Sequence, residues 1–236
     1  MKLHEFLAGA KAGLPVCIGY FSVSFGFGAM AVAQGLTVWQ TVFISASNLT
    51  SAGQFAGLTV IISGATMIEM ILTQLVINSR YALMSLALGQ RLGPHTGTGS
   101  RLLTAFFNTD EIFALGMAQG THLTVGFFVG AGITAALGWI AGTAMGAIAG
   151  SLLPDSLRMA LGVMLYGMFI AIIVPQARAE KPILAVVVLA LIFSCAFTWL
   201  PLLDQVSDGL AIVICTVLAA SICAVLFPIE EEEPTP

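Results

Sequence analysis

The chain has 236 residues, of which 58% are hydrophobic and 8% are charged, and its formal net charge is -4. Soluble domains carry roughly 25% charged residues, and the mean hydropathy of this chain is +1.00. These values exclude a water-soluble protein and predict an all-α polytopic membrane protein with about seven or eight transmembrane segments, some discontinuous.

The first part of the chain is one long uncharged run. From Ala12 to Ile68, 57 residues contain no Asp, Glu, Lys or Arg. A bilayer core is roughly 30 Å thick and a helix rises about 1.5 Å per residue, so one pass needs about 20 residues. Residues 12–33 therefore predict a first membrane span.

A cluster of small and polar residues then interrupts this run. The apolar segment from Trp39 to Ser47 makes only about 13 Å of helix, less than half a membrane. A break at that depth leaves backbone groups unpaired unless they line a protein cavity, so we predict a discontinuous or re-entrant helix within residues 39–88. A polar loop at the membrane surface is the alternative. The residues that such a break offers to a ligand are Ser47, Asn48, Ser51, Gly53, Gln54 and Phe55.

The next charged residues are Glu69 and Arg80. Both lie on one face of a helix but about 16 Å apart along its axis, too far for an ion pair. Glu69 therefore needs another partner, or it takes up a proton, as carboxyls in apolar surroundings do, and becomes a proton-coupling candidate. A position at the lipid headgroup boundary is the alternative.

Basic residues predict the orientation of the chain. The connector between Arg80 and Arg101 contains three arginines and no acidic residue. Basic residues are enriched in cytoplasmic loops, so this connector is predicted to be cytoplasmic. Lys2 and Lys11 place the N-terminus on the same side.

A second interruption, Asn108-Thr109-Asp110-Glu111, lies within residues 102–153. It predicts a second broken segment, and two such segments suggest an inverted-repeat transporter. Asp110 and Glu111 would then lie beside a helix break, where they are candidates for substrate binding and proton coupling. Helix capping by Asn108, with Glu111 three residues later, is the alternative explanation of the motif.

A ladder of glycines follows at spacings of four residues. Each step rotates about 40° around an ideal helix, so a ladder this long predicts two packed helices or a kink rather than one straight rod. Small residues allow helix backbones to approach closely in membranes, which gives the ladder a structural role. Its members are Gly126, Gly130, Gly138, Gly142, Gly146 and Gly150.

Three later segments are each close to the length of a single pass, namely residues 159–177, 182–203 and 210–227. The connectors between them are short, so we expect one transmembrane domain over residues 1–236. Residues 230–236 predict a solvated acidic tail.

The sequence contains none of the short motifs that indicate a hydrolase, a phosphate-binding loop or a zinc enzyme. We therefore expect a protein that is not an enzyme, with no metal, no cofactor and no nucleic-acid partner.

Four stretches of the chain resemble the AzlC family of membrane permeases. They are residues 15–37 with Phe25-Gly26-Phe27-Gly28, residues 47–57 with Gly53-Gln54-Phe55-Ala56-Gly57, the sequence Asn78-Ser79-Arg80-Tyr81, and residues 109–115, which begin Thr109-Asp110-Glu111. The stretches occur in the family's order over the first half of the chain. Asn78 and Arg80 are assigned a structural role within the third stretch.

The resemblance implies one subunit of a proton-coupled exporter of branched-chain amino acids, with methionine as a further substrate. It also implies a small AzlD-like membrane subunit as partner and a location in the bacterial cytoplasmic (inner) membrane. A zwitterionic substrate needs donors for its carboxylate, which the first break offers, and acceptors for its ammonium, which Asp110 or Glu111 offers. A membrane scaffold or regulatory subunit and a passive channel are the alternatives.

Overall fold

A computed structural model describes residues 2–93, 96–119, 123–150, 170, 173–174, 177–200 and 206–228. The regular elements in these ranges are all α-helices, which confirms the predicted class. They are α1 (Leu3–Ala33), α2 (Val38–Ser47), α3 (Ala52–Ile62), α4 (Met67–Arg91), α5 (Thr98–Phe106), α6 (Asp110–Met117), α7 (Val125–Gly150), α8 (Lys181–Trp199) and α9 (Asp208–Leu226).

Five of the described helices are long and apolar enough to cross a membrane: α1, α4, α7, α8 and residues 209–226 of α9. By contact, the chain divides into two compact units. The first comprises Met1–Leu58 and Ile77–Tyr166, and the second comprises Thr59–Val76 and Gly167–Pro236.

Helix α1 begins at Leu3, nine residues before the predicted span, and has 31 residues. Its length is therefore about 46 Å, more than the roughly 30 Å of hydrocarbon. Glu5 and Lys11 lie in the additional turns. The first turns of α1 therefore extend beyond the lipid core.

Helices α1 and α7 form the centre of the first unit and pack at backbone distance. A Cβ atom added to Gly9 would lie 1.9 Å from the carbonyl oxygen of Phe127, and one added to Gly146 would lie 2.0 Å from that of Phe25. Residue numbers rise together along the contact, so the two helices run parallel.

The glycine ladder lies in a single continuous helix, so of the two predicted explanations, two packed helices or a kink, the first is wrong. Residues 125–150 form the 26-residue helix α7, and the seam is completed by glycines of α1. Added Cβ atoms on Gly13 and Gly28 would meet backbone atoms of Ala131 and Thr143. Because α1 and α7 both contribute small residues, α1 stays in contact with the ladder as the glycines rotate gradually around α7. The ladder therefore does not have to be divided between two helices.

The first predicted break is present. Helix α2 begins with a capping box between Thr37 and Gln40 and ends at Ser47, and α3 begins at Ala52. Between them, Asn48 Oδ1 accepts a hydrogen bond from the backbone N–H of Thr50 at 3.0 Å, and Ser51 has a positive φ of 41°. These local features stop the helix and redirect the chain.

The break lies within the length of α7 rather than beyond its end. Ser45, near the end of α2, has its hydroxyl 2.8 Å from that of Thr143, and both side chains are fully buried. The break is therefore inside the first unit, unlike the surface loop considered as the alternative.

The second predicted break separates α5 from α6 at residues 107–109. The predicted cap was wrong by one residue. Thr109 has the extended conformation of an N-cap, and its hydroxyl accepts from the backbone N–H of Ile112 at 3.5 Å. Asn108 is instead buried, and its amide donates to the hydroxyl of Ser85 at 3.2 Å.

Helix α5 runs back along α4 toward the break. Near the end of α4, the Arg101 guanidinium donates to the carbonyls of Gly89 and Gly93. Closer to the break, Asn108 contacts Ser85, and beyond it Asp110 contacts Arg80. Helix α5 therefore runs from the C-terminal end of α4 toward its middle, where the break lies.

Helix α6 returns along α7. Phe107 packs against Gly132, whereas Thr109 contacts Tyr20, whose ring lies against Trp139 farther along α7. At the end of α6, Gly116 faces Phe128 near the start of α7. Helices α5 and α6 therefore enter and leave at the same end of the unit, the geometry of a re-entrant hairpin.

In the second unit, α8 and α9 correspond to the predicted spans 182–203 and 210–227. The start of α9 contacts α4, since the hydroxyl of Thr73 donates to the Gly209 carbonyl at 3.3 Å. The predicted span 159–177 lies mostly outside the described residues, and the acidic tail 230–236 lies entirely outside them.

Candidate functional site

The second break carries an ion pair between two helices. Arg80 Nη1 lies 2.8 Å from Asp110 Oδ2, and the two side chains are 46% and 45% exposed. Arg80 is thirteen residues from the start of α4 and eleven from its end. Arg80 therefore lies inside the helix that also carries Glu69, as the sequence analysis expected, and the connector predicted from Arg80 to Arg101 begins only after α4 ends at Arg91.

A second acidic contact lies beside this pair. The Tyr20 hydroxyl is 2.7 Å from the hydroxyl of Thr109 and also forms a hydrogen bond with the carboxylate of Glu111. Glu111 is exposed, whereas Thr109 is buried. The two neighbouring carboxylates thus have different partners, a guanidinium for Asp110 and a phenol for Glu111.

Gln54 ties the first break to α7. Its amide nitrogen donates to the Asn48 carbonyl at 2.8 Å and to the Ser45 hydroxyl at 3.4 Å. Its amide oxygen accepts from Trp139 Nε1 at 2.8 Å, and the side chain is 2% exposed. Gln54 therefore satisfies a backbone carbonyl that the break releases from the helix.

The two breaks meet at one pair of aromatic side chains. The Tyr20 and Trp139 rings are 5.3 Å apart between centroids and meet edge to face at 76°. Trp139 contacts the first break through Gln54, and Tyr20 contacts the second through Thr109. The structure thus brings Gln54 and the Asp110 region together through two residues that the sequence analysis did not select.

Each break also buries one side-chain oxygen without a hydrogen-bond partner among the described residues. These atoms are Thr50 Oγ1 and Asn108 Oδ1. Buried polar atoms are nearly always paired with protein or water, so such atoms call for a water or a ligand group nearby.

The other residues predicted from the first break have local contacts. Ser47 is exposed, and its hydroxyl donates to the Phe43 carbonyl in its own helix at 2.8 Å. Phe55 is buried and packs edge to face on Phe27 with a centroid distance of 5.2 Å. Gly53 is buried next to Gln54, and Ser51 holds the positive φ of the turn.

Glu69 lies in the second unit, in the first turn of helix α4. Its carboxylate accepts from the Thr66 backbone N–H at 3.1 Å, and its own N–H donates to the Thr66 hydroxyl at 3.3 Å. This reciprocal pair is a capping box. The Ser207 hydroxyl donates to the other carboxylate oxygen at 2.7 Å. Thr66 and Ser207 are therefore the partners that the sequence analysis expected Glu69 to need.

The residues predicted to be structural lie in two helices. Asn78 is in α4, two residues before Arg80. Gly138 and Gly142 face Cys17 and Phe21 of α1 in the seam that also holds Gly146.

Tyr20 and Trp139 did carry a weak signal in the sequence. Each is an aromatic residue with a polar group inside an uncharged run, and buried Tyr and Trp usually find a hydrogen-bond partner. That rule identifies residues that need a partner, but it does not name one. Ser45 and Thr143 gave no such signal.

Replacing Trp139 with phenylalanine tests the connection to the first break. The change keeps an aromatic ring but removes the donor to the buried Gln54 oxygen. We expect a loss of about 1–3 kcal/mol of stability, the usual cost of an unsatisfied buried polar group. Thermal unfolding of the purified protein measures it.

Trp199→Phe is the matched control, because Trp199 is 78% exposed. Equal unfolding midpoints for the two variants would contradict a structural role for the contact between Trp139 and Gln54.

Comparisons with known proteins agree on the class of protein. Inner membrane protein YgaZ of Escherichia coli K12 is 27% identical over 183 residues, 75% of each chain. An uncharacterized membrane protein of Archaeoglobus fulgidus is 26% identical over 184 residues, 76% of this chain and 79% of its own. One from Helicobacter pylori is 30% identical over 118 residues, 48% of this chain and 50% of its own. No solved structure matches the chain.

The family profile described as AzlC protein matches residues 15–153. This range contains both helix breaks, the ion pair of Arg80 with Asp110, and the parallel helices α1 and α7. The match covers more than half of the chain, and the relatives are themselves membrane proteins. The chain is therefore a multi-pass membrane protein that belongs to the AzlC family.

Proposed function

We propose that this protein is the large subunit of a proton-coupled exporter of branched-chain amino acids, with methionine as a further substrate. The observation that carries the proposal is the charged cluster at the second break, where Arg80, Asp110 and Glu111 are partly exposed along the length of a membrane helix. Ionisable residues in membrane spans are costly and usually mark a substrate or ion pathway.

The cluster has chemistry that suits an amino acid. Asp110 and Glu111 supply acceptors for an ammonium group. Thr50 and Asn108 each present a buried oxygen at a break, and such atoms are available to a bound water or a substrate group. The aromatic side chains of Tyr20 and Phe55, with Phe113 on α6, provide apolar surface for an aliphatic side chain.

The first break contributes to this site in the proposal. Ser47, Asn48, Ser51 and Gly53 supply polar side-chain and backbone groups to the substrate, and Gln54 positions this segment by its hydrogen bonds to Asn48 and Trp139.

Proton coupling is assigned to Asp110 and Glu111, with Glu69 as a further candidate in the other unit. Asp110 contacts the guanidinium of Arg80, and Glu111 contacts the phenol of Tyr20. A carboxylate that gains a proton releases such a partner, and that change can be linked to substrate movement.

The partner in this proposal is a small AzlD-like membrane subunit, and the location is the bacterial inner membrane. YgaZ, the Escherichia coli relative, is named as an inner membrane protein. The scaffold alternative rested on the glycine-rich helices. It loses support because those glycines are already packed against α1 of the same chain.

Transport of labelled leucine into inside-out vesicles tests the function. Vesicles that contain the full chain and its small partner should take up leucine in a saturable manner, and a protonophore should abolish the uptake. Vesicles without the chain are the control. Uptake no greater than in the control would contradict the proposal, and flux that does not saturate would indicate a channel.

A further inference from the structure

The ion pair of Arg80 with Asp110 is open on one side. Arg80 lies about 20 Å from the start of α4 and about 16 Å from its end, and nearly half of each side chain is exposed. A charged group at this position does not face lipid without a large cost, so its open side faces water or a polar ligand. The exposure therefore identifies a polar opening near the middle of the span.

This opening presents a cation and an anion side by side. An α-amino acid carries the complementary charges, an ammonium and a carboxylate, on one carbon atom. Guanidinium has five N–H donors in a planar fork that matches a carboxylate. The contact with Asp110 involves one nitrogen, Nη1, and the face of the guanidinium lies over the Tyr81 ring, with Cζ 5.2 Å from the ring centroid, which leaves donors at its edge. Arg80 therefore has the capacity to bind a second carboxylate.

We propose that Arg80 binds the substrate carboxylate and that the ion pair of Arg80 with Asp110 occupies the site when substrate is absent. An α-amino acid inserts between the two side chains, with its carboxylate on Arg80 and its ammonium on Asp110. This inference rests on the proposed function and adds a substrate class, since a ligand must carry both charges to replace both halves of the pair.

The exchange is physically reasonable because the pair is weak. Half-exposed ion pairs contribute little to stability, since water competes for both charges. A carboxylate that meets the guanidinium with two parallel hydrogen bonds is a stronger partner. Thr109 caps α6 independently of Asp110, so the pair can open without loss of that cap.

Ligands that lack one charge separate this role from a structural one. Leucine, leucine amide without the carboxylate, and 4-methylpentanoate without the ammonium are titrated against the full chain in lipid nanodiscs with its small partner. For the natural protein, we expect leucine to bind about 10- to 100-fold more tightly than either analogue, the effect of one charge-assisted hydrogen-bonded contact.

Two variants should each remove the preference for leucine over one of the two analogues. Arg80→Gln should bind leucine and leucine amide alike, and Asp110→Asn should bind leucine and 4-methylpentanoate alike. Arg80→Lys keeps the charge without the planar fork, so it should show an intermediate preference for leucine over the amide. Arg178→Gln, at an exposed arginine of the second unit, is the control and should bind as the natural protein does.

The outcomes are distinguishable. Arg80→Gln that still prefers leucine over leucine amide as the natural protein does would overturn the inference while leaving transport of leucine in place. If Arg80→Gln does not fold, Arg80→Lys decides, because a preference equal to that of the natural protein would overturn the inference. No binding of leucine to the natural protein would overturn the proposed function and this inference with it.

Discussion

Gly146→Leu is expected to prevent stable folding of the first unit. A Cβ atom at this position would lie 2.0 Å from the Phe25 carbonyl oxygen and 2.7 Å from its carbon. These are backbone atoms of a long helix, so they cannot move away alone. Overpacking costs about 1–3 kcal/mol even when side chains yield, and we expect more here. Size-exclusion profiles and thermal unfolding of the detergent-solubilised chain measure the loss.

Gly19→Leu is the matched control because Gly19 also lies in the helix pair but has nothing within 4 Å of an added Cβ atom. Leucine has the better helix propensity by roughly 0.8 kcal/mol, so this variant should keep or improve the stability of the protein. Equal loss in both variants would indicate a general intolerance of leucine in glycine-rich helices and would contradict the seam between α1 and α7.

Asp110→Asn is expected to lower proton-dependent leucine transport by about 10- to 100-fold, which corresponds to loss of a contact of about 1.5–3 kcal/mol. The amide keeps the shape of the side chain but removes the charge that faces Arg80 and the group that would carry a proton. Uptake into inside-out vesicles, with and without a pH gradient, measures the change.

Helix capping alone predicts a much smaller effect. Thr109, not Asp110, caps α6, and a negative charge in the first helical turn contributes only about 0.3–1 kcal/mol. Glu180→Gln is a suitable control, because Glu180 precedes α8 in the other unit, is exposed and makes no side-chain cap. A rate and pH dependence for Asp110→Asn equal to those of this control would exclude a proton or ammonium role for Asp110.

The sequence predicted those features of the fold that depend on local composition. Both helix breaks were found because polar residues interrupt apolar runs at a depth where a whole helix is expected. Thr109 shows the precision of such rules: the cap was expected at Asn108, and choosing between neighbours requires the backbone conformation. Arg80 shows their main weakness, since its position on one helix face with Glu69 did not identify Asp110 as its partner.

Long-range contacts could not be read from the chain. Gln54 and Trp139 are 85 residues apart, and Tyr20 and Thr109 are 89 apart. Nothing in the local sequence of either partner specifies the other. The glycines indicated close packing, but α1 as the partner of α7 follows only from the assembled unit.

The parallel arrangement of α1 and α7 also constrains the number of times the chain crosses the bilayer between them. Two parallel spans require an odd number of crossings in between, and α4 supplies one. Within the first unit, the N-terminal end of α1 lies beside the start of α7, so the turn at residues 34–37 lies on the side opposite to the one that holds the N-terminus. Because α6 ends beside the start of α7, the hairpin of α5 and α6 dips into the membrane from the side that holds the N-terminus.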